Sequence, residues 1–126
     1  FALPRPFRPD YIQAAQAIVA ENNPNIAVFG FKTFNAVAAR YHLAPENIPV
    51  AACEGYDELC ARVAAATAAG RTVWVIFHHW DRIEDFERDM TNARLMCVSH
   101  TFGGMPPLRA CRVDRLPPDS QVTIGL

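Results

Sequence analysis

The stretch Thr72-Val73-Trp74-Val75-Ile76-Phe77 decides the fold. It is β-branched and aromatic throughout, and no polar residue alternates with the apolar ones. A strand with one wet face alternates, so an unbroken run of this length predicts a strand covered on both faces. Such strands belong to parallel sheets with helices above and below.

Upstream, Gly70 predicts the C′ end of an alanine-rich helix over 57–69, with Leu59, Val63 and Ala66 inward. Before it, Val50 to Cys53 is a short strand, and Pro45 and Pro49 frame the loop that leads in. Thr33 is placed to cap a helix of about 34–42 with Phe34, Val37, Ala38 and Tyr41 on one face. Ile26 to Phe31, bounded by turn signals, is the first strand. Ile12, Ala15, Ile18 and Val19 repeat at helical spacing from Tyr11 to about Asn22, where Asn22-Asn23-Pro24 stops the helix that Asp10 caps. Residues 1–9, with three prolines, are an extended lead-in.

Downstream, Asp81-Arg82-Ile83-Glu84 has the form of a capping box and opens a helix to about Ala93, with Ile83, Phe86 and Met90 inward. Leu95 to Phe102 and Leu108 to Val113 are two more strands. The loop Gly103-Gly104-Met105-Pro106-Pro107 is short enough only for an antiparallel hairpin. Residues 114–126 are a tail.

The expected fold is therefore a single α/β domain, a three-layer sandwich of Rossmann-like or flavodoxin-like type. Its sheet is mainly parallel, of order about 2-1-3, with the antiparallel hairpin beyond strand 3 at one edge. A chain of 126 residues, 51% apolar and 20% charged, is long enough to bury a core. A net charge of −1 gives no basic excess to release counterions from nucleic acid. The chain opens at Phe1 without a charged-then-apolar leader and reads as a piece of a larger protein.

In a 2-1-3 order the crossovers leave strands 1 and 3 in opposite directions, and ligands bind in the crevice beyond their C-terminal ends. Gly30, Phe31, Lys32, Thr33, His79, Trp80 and Asp81 line that crevice, where Lys32 and the helix start after Thr33 suit an anion. The same residues also serve as plain helix caps with a solvated lysine. Trp80 and Phe31, at strand ends, are the aromatics expected at the surface. His78 and His79 point to opposite faces of a strand end and cannot readily share one metal ion, so one is expected against a helix and the other toward the crevice. Neither a phosphate-binding glycine loop nor an activated serine or thiol signature occurs. No metal and no cofactor is expected. The four cysteines form no C-x-x-C pair; if any two are bridged, they are Cys97 and Cys111 on neighbouring strands.

Over residues 4–113 the order of segments resembles a family: the soluble C-terminal domain of bacterial multi-pass, polyprenyl-phosphate-sugar-dependent glycosyltransferases, the dolichyl-phosphate-mannose protein mannosyltransferase type. The resemblance runs through Leu3-Pro4-Arg5-Pro6, Pro9-Asp10-Tyr11, Ala14 to Ala20 and Ile26 to Gly30. It continues through Ala39-Arg40-Tyr41-His42-Leu43, Asp57-Glu58-Leu59, Gly70 to Ile76, Phe102-Gly103-Gly104 and Leu108 to Val113. Before the first strand the chain has Pro24-Asn25-Ile26 where the family has G-D-x-V. The resemblance implies a non-catalytic accessory domain on the extracytoplasmic, periplasmic side of the bacterial inner membrane. Its partners would be the membrane-embedded part of the parent chain and a lipid-linked sugar or acceptor. The resemblance implies a catalytic acid in an extracytoplasmic loop near the first membrane helices of the parent, so no catalytic residue carries over. The alternative is a free-standing small α/β protein that binds a nucleotide or anionic ligand at the ends of strands 1 and 3.

Overall fold

A computed structural model describes residues 11–78, 81–103 and 107–116. The elements alternate as expected: α1 (Tyr11–Ala20), β1 (Ile26–Phe31), α2 (Thr33–Leu43), a 3-10 turn (Ala44–Glu46), β2 (Val50–Cys53), α3 (Tyr56–Ala68), β3 (Thr72–Phe77), α4 (Ile83–Asn92), β4 (Leu95–Phe102) and β5 (Leu108–Arg115). They form one mixed five-stranded sheet of order β2-β1-β3-β5-β4. β1 runs parallel to both β2 and β3, with Val28 opposite Val50 on one side and Trp74 on the other. β5 is antiparallel to β3 and to β4.

All six residues of β3 are buried. Odd-numbered β3 residues Val73, Val75 and Phe77 pack with Leu59 and Val63 of α3 and Ile83, Phe86 and Met90 of α4. Even-numbered Trp74 and Ile76 pack with Ala14, Ala15 and Ile18 of α1 and Ala36, Ala39 and Leu43 of α2. Helices thus cover both faces, as the uninterrupted apolar run predicted. Gly70 ends α3 at φ 84, its N–H bonded to Thr67 and that of Arg71 to Ala66. This is the left-handed stop that glycine permits.

The face of α2 that groups Phe34, Val37, Ala38 and Tyr41 is not the one that packs on the sheet. Phe34, Val37 and Tyr41 are 47%, 55% and 80% exposed, and Asn35, Ala36, Ala39 and Leu43 point inward instead. The cause is Gly30. A Cβ there would lie 2.4 Å from the Ala36 nitrogen, so α2 rides directly on the β1 backbone and only small side chains fit between. Asn35, fully buried, anchors this seat. Its amide donates to the Phe31 carbonyl at 2.7 Å and its Oδ1 accepts from the Tyr11 hydroxyl at 2.7 Å. Ile12, one of the apolar residues at helical spacing in α1, is 45% exposed.

β5 runs two residues beyond its expected end, because Asp114 has partners. It accepts from the Thr72 hydroxyl at 2.6 Å and pairs with Arg112. Arg112 also pairs with Glu21 at 2.7 Å, and the Trp74 indole N–H donates to Glu21. Burial pushes the Glu21 carboxyl up, but the hydrogen bonds from Arg112 and Trp74 and the Arg112 charge outweigh it and hold the group below the usual range. A carboxylate depressed on folding stabilises above its unfolded pKa, and that stability is lost as pH falls through the folded value. Glu21→Gln is therefore expected to cost about 2 kcal/mol at pH 7. The gap to wild type should close in acid below about pH 4.5. Urea unfolding at the two pH values checks it.

Cys97 and Cys111 lie on the adjacent strands β4 and β5, on the same face as α4. Cys97 stands opposite Val113 and Cys111 opposite Ser99, so the two are diagonal neighbours. All four cysteines are free thiols. Asp10, the lead-in 1–9 and residues 117–126 lie outside the described residues, and among those described no helix is long and apolar enough to cross a membrane.

Candidate functional site

β1 and β3 are parallel neighbours in the order β2-β1-β3, the arrangement on which the crevice was predicted. After β1 the chain moves to the face that α2 covers, and after β3 to the face that α4 covers. The two loops therefore part at the C-terminal ends of neighbouring parallel strands. The predicted residues divide between two local arrangements there.

The first is built on the start of α2. Lys32 adopts φ 72, a left-handed backbone, and its N–H donates to the Cys53 carbonyl at 2.8 Å. This turn aims the Thr33 N–H at the Glu54 carboxylate, which accepts it at 2.7 Å. The Lys32 Nζ lies 3.3 Å from the Glu54 carbonyl and 4.9 Å from the Phe31 ring centroid. Contrary to expectation Thr33 is not the cap: it is the first residue of α2, the N-cap position falls to Lys32, and that side chain makes no capping bond. The positive end of α2 thus already holds an anion, the carboxylate of Glu54, and a foreign one would have to displace it. Gly30 serves helix packing beneath. Glu54→Ala is expected to cost about 1 kcal/mol, as loss of an N-cap does, and Glu54→Gln less. An unchanged melting temperature in the alanine variant would contradict this assignment.

The second arrangement is a cup of about 200 Å³ lined by Phe31, Tyr56, Phe77, Asp81, Arg82, Asp85 and Arg88. Phe31 was expected at the surface, but it is 9% exposed. Phe77 and Tyr56 cover it at ring separations of 5.7 and 6.4 Å. The rim is charged. Asp85 lies 3.1 Å from the Arg82 Nε and 3.3 Å from the Arg88 Nη1, and Arg88 also reaches Asp89 at 3.2 Å. The Tyr56 hydroxyl donates to Asp89 at 2.6 Å. Burial, then that bond, pushes the Tyr56 phenol upward, so it stays a proton donor. Asp89 is held below the usual carboxylate range by the Tyr56 and Arg88 hydrogen bonds.

Asp81 does not cap α4 as predicted. Its carboxylate turns back and accepts the His78 N–H at 2.7 Å. The chain then closes the turn with the Asp81 N–H bonded to the His78 carbonyl at 3.0 Å. His78 is buried, its ring 5.5 Å from that of Phe34, as expected of a histidine packed against a helix. His79 and Trp80 lie outside the described residues.

Sequence reasoning missed Glu54, Tyr56, Arg82, Asp85 and Arg88. The first two follow β2, whose C-terminal end lies beside that of β1, so the loop after the second strand belonged on the list. The rim residues repeat at three-residue spacing along the first turns of α4, a pattern visible in the sequence. Burial pushes the thiols of Cys53 and Cys60 above their ordinary value despite Arg62 and Tyr56 beside them, so neither is primed as a thiolate nucleophile. Among the described residues no group of three His, Cys, Asp or Glu side chains is placed to hold a metal ion. Comparison with protein-family models, curated proteins and solved structures gave no match.

Proposed function

We propose that this chain is a non-catalytic accessory domain of a membrane glycosyltransferase that transfers sugar from a polyprenyl-phosphate carrier. In this reading it lies on the periplasmic side of the bacterial inner membrane, against the membrane-embedded part of its parent chain and close to the lipid-linked sugar or its acceptor. The resemblance of the segments to that family supports it, and the observation that carries it is their assembly, in that order, into one sheet covered on both faces. The finer description of the fold as Rossmann-like or flavodoxin-like is part of the same proposal. The parallel β2-β1-β3 portion supports it, with the antiparallel β5-β4 pair as the departure. The rim charges of Arg82, Asp85, Arg88 and Asp89 pair with one another, which suits a scaffold. No cofactor and no nucleic acid enters the proposal.

The test is sugar transfer in proteoliposomes. The parent enzyme should use the polyprenyl-phosphate sugar, the isolated chain should not, and deleting residues 11–116 from the parent should lower transfer. Turnover by the isolated chain, or an unimpaired truncated parent, contradicts the proposal.

The cup favours one second reading, a free-standing protein binding a nucleotide or other anion at the ends of β1 and β3. Arg82 and Arg88 are its donors, with side chains 83% and 61% exposed. Binding would need Asp85 to release them. Amide shifts at Phe31 and 81–88 on titration with nucleotides and sugar phosphates support this reading, and their absence at millimolar ligand contradicts it.

A further inference from the structure

The two edges of the sheet are treated differently. β2, at one edge, has only four residues, and arginines cover its main chain. Arg40 donates to the Val50 carbonyl at 2.8 Å, and Arg62 reaches the Ala52 carbonyl at 3.4 Å. Natural sheets blunt their edges by short strands, charges, prolines or bulges. β4, at the other edge, has eight residues, Leu95-Met96-Cys97-Val98-Ser99-His100-Thr101-Phe102. None is charged, none is proline or glycine, and the pairing with β5 continues without a bulge from Leu95–Arg115 to Phe102–Leu108. Among the described residues no side chain is hydrogen-bonded to the main chain of β4. Alternate residues of an antiparallel edge strand turn their N–H and C=O groups outward, so β4 presents an open row of donors and acceptors.

We infer that this edge is a dimerisation surface, where β4 pairs antiparallel with β4 of a second copy to form a continuous ten-stranded sheet. A two-fold axis perpendicular to the sheet keeps each face on its own side, so the pairing must centre on a residue. Centred on Val98, it sets Val98 against its own copy, Met96 against His100 and Cys97 against Ser99. A strand that pairs with itself opposes like charges wherever it carries one near the axis, and β4 carries none. Met96 and Val98, 39% and 47% exposed, lie on the α1 side beyond the reach of α1 and would cover one another across the axis. Arg112, which stands opposite Val98 within the subunit, would be three strand spacings from its copy. That is about 14 Å, beyond the screening length of about 8 Å at physiological salt.

Sedimentation velocity from micromolar to millimolar concentration tests this, with amide exchange of β4 as the second readout. The wild-type chain should pass from monomer to dimer, and β4 amides should gain protection with concentration. Val98→Lys sets two ammonium groups face to face at a site already exposed in the monomer. Arg112, opposite position 98 within the subunit, is already paired with Glu21 and Asp114. The variant should therefore lower the melting temperature only slightly, while raising the dimer dissociation constant about tenfold or more. Val37→Lys, an equally exposed apolar position on α2, should leave the dimer intact. A wild-type chain monomeric throughout, dimers indifferent to Val98→Lys, or dimers dissolved by Val37→Lys would each overturn the inference. So would a foreign peptide strand that protects β4 in a chain that does not self-associate.

Discussion

Gly30→Ala is expected to lower stability by about 3 kcal/mol or more. The added methyl would sit 2.4 Å from the nitrogen, 2.5 Å from the Cα and 2.8 Å from the Cβ of Ala36. Two of these are backbone atoms of a helix and cannot rotate away. α2 must lift, which strains the packing by about 1–3 kcal/mol. Lifting also stretches the hydrogen bond from the buried Asn35 amide to the Phe31 carbonyl, whose loss costs a further ~1–3 kcal/mol. The corresponding drop in melting temperature is about 10 °C for a domain of this size. Gly55→Ala is the control: a Cβ there meets nothing within 4 Å, and its backbone, at φ −99, accepts any residue. A thermal melt in which the two variants behave alike would contradict the seating of α2 on β1.

Phe86→Ala is expected to cost about 3–5 kcal/mol, as truncation of a buried phenylalanine does. Three side chains of α4, Ile83, Phe86 and Met90, are buried, and the rest of its surface is polar. Phe86 is fully buried with its ring 5.1 Å from that of Phe77. Losing it leaves the helix held at its two ends, and the Arg82–Asp85–Arg88 rim rides on its first turns. Urea unfolding should show the loss of stability, and the signals of residues 81–88 should broaden more than those of α2. A loss below about 1 kcal/mol, the range of surface changes, would mean that α4 does not pack on β3 as described.

These two positions mark what the sequence discloses and what it hides. β3 was legible because hydrophobic burial on both faces writes itself as an unbroken apolar run. α4 was legible because its three apolar residues stand alone at helical spacing in a charged segment. The 2-1-3 order and the hairpin beyond β3 followed from right-handed crossovers and the short hairpin loop, whereas the placing of β5 inside and β4 at the edge did not. The face of α2 was not legible, because its large apolar residues point outward. What turned it was a glycine on another element, which admits only alanines beneath. The partner of Thr33 was hidden for a related reason: Glu54 is 21 residues away, and only the β1–β2 pairing brings it near. Asp81 was placed correctly in the chain and wrongly in space, since a carboxylate before a helix can turn to either side. Topology thus placed the ends of β1 and β3 side by side, while the chemistry there depends on contacts between elements that local spacing does not record.

The crevice, the covered faces and the proposed accessory role all require β3 to be interior. Native-state amide exchange measures this directly. The amides of 72–77 should be among the slowest in the chain, opening only with global unfolding, while those of β4 in the monomer exchange much faster. Exchange of β3 at the rate of β4 would place β3 at a rim and contradict the account.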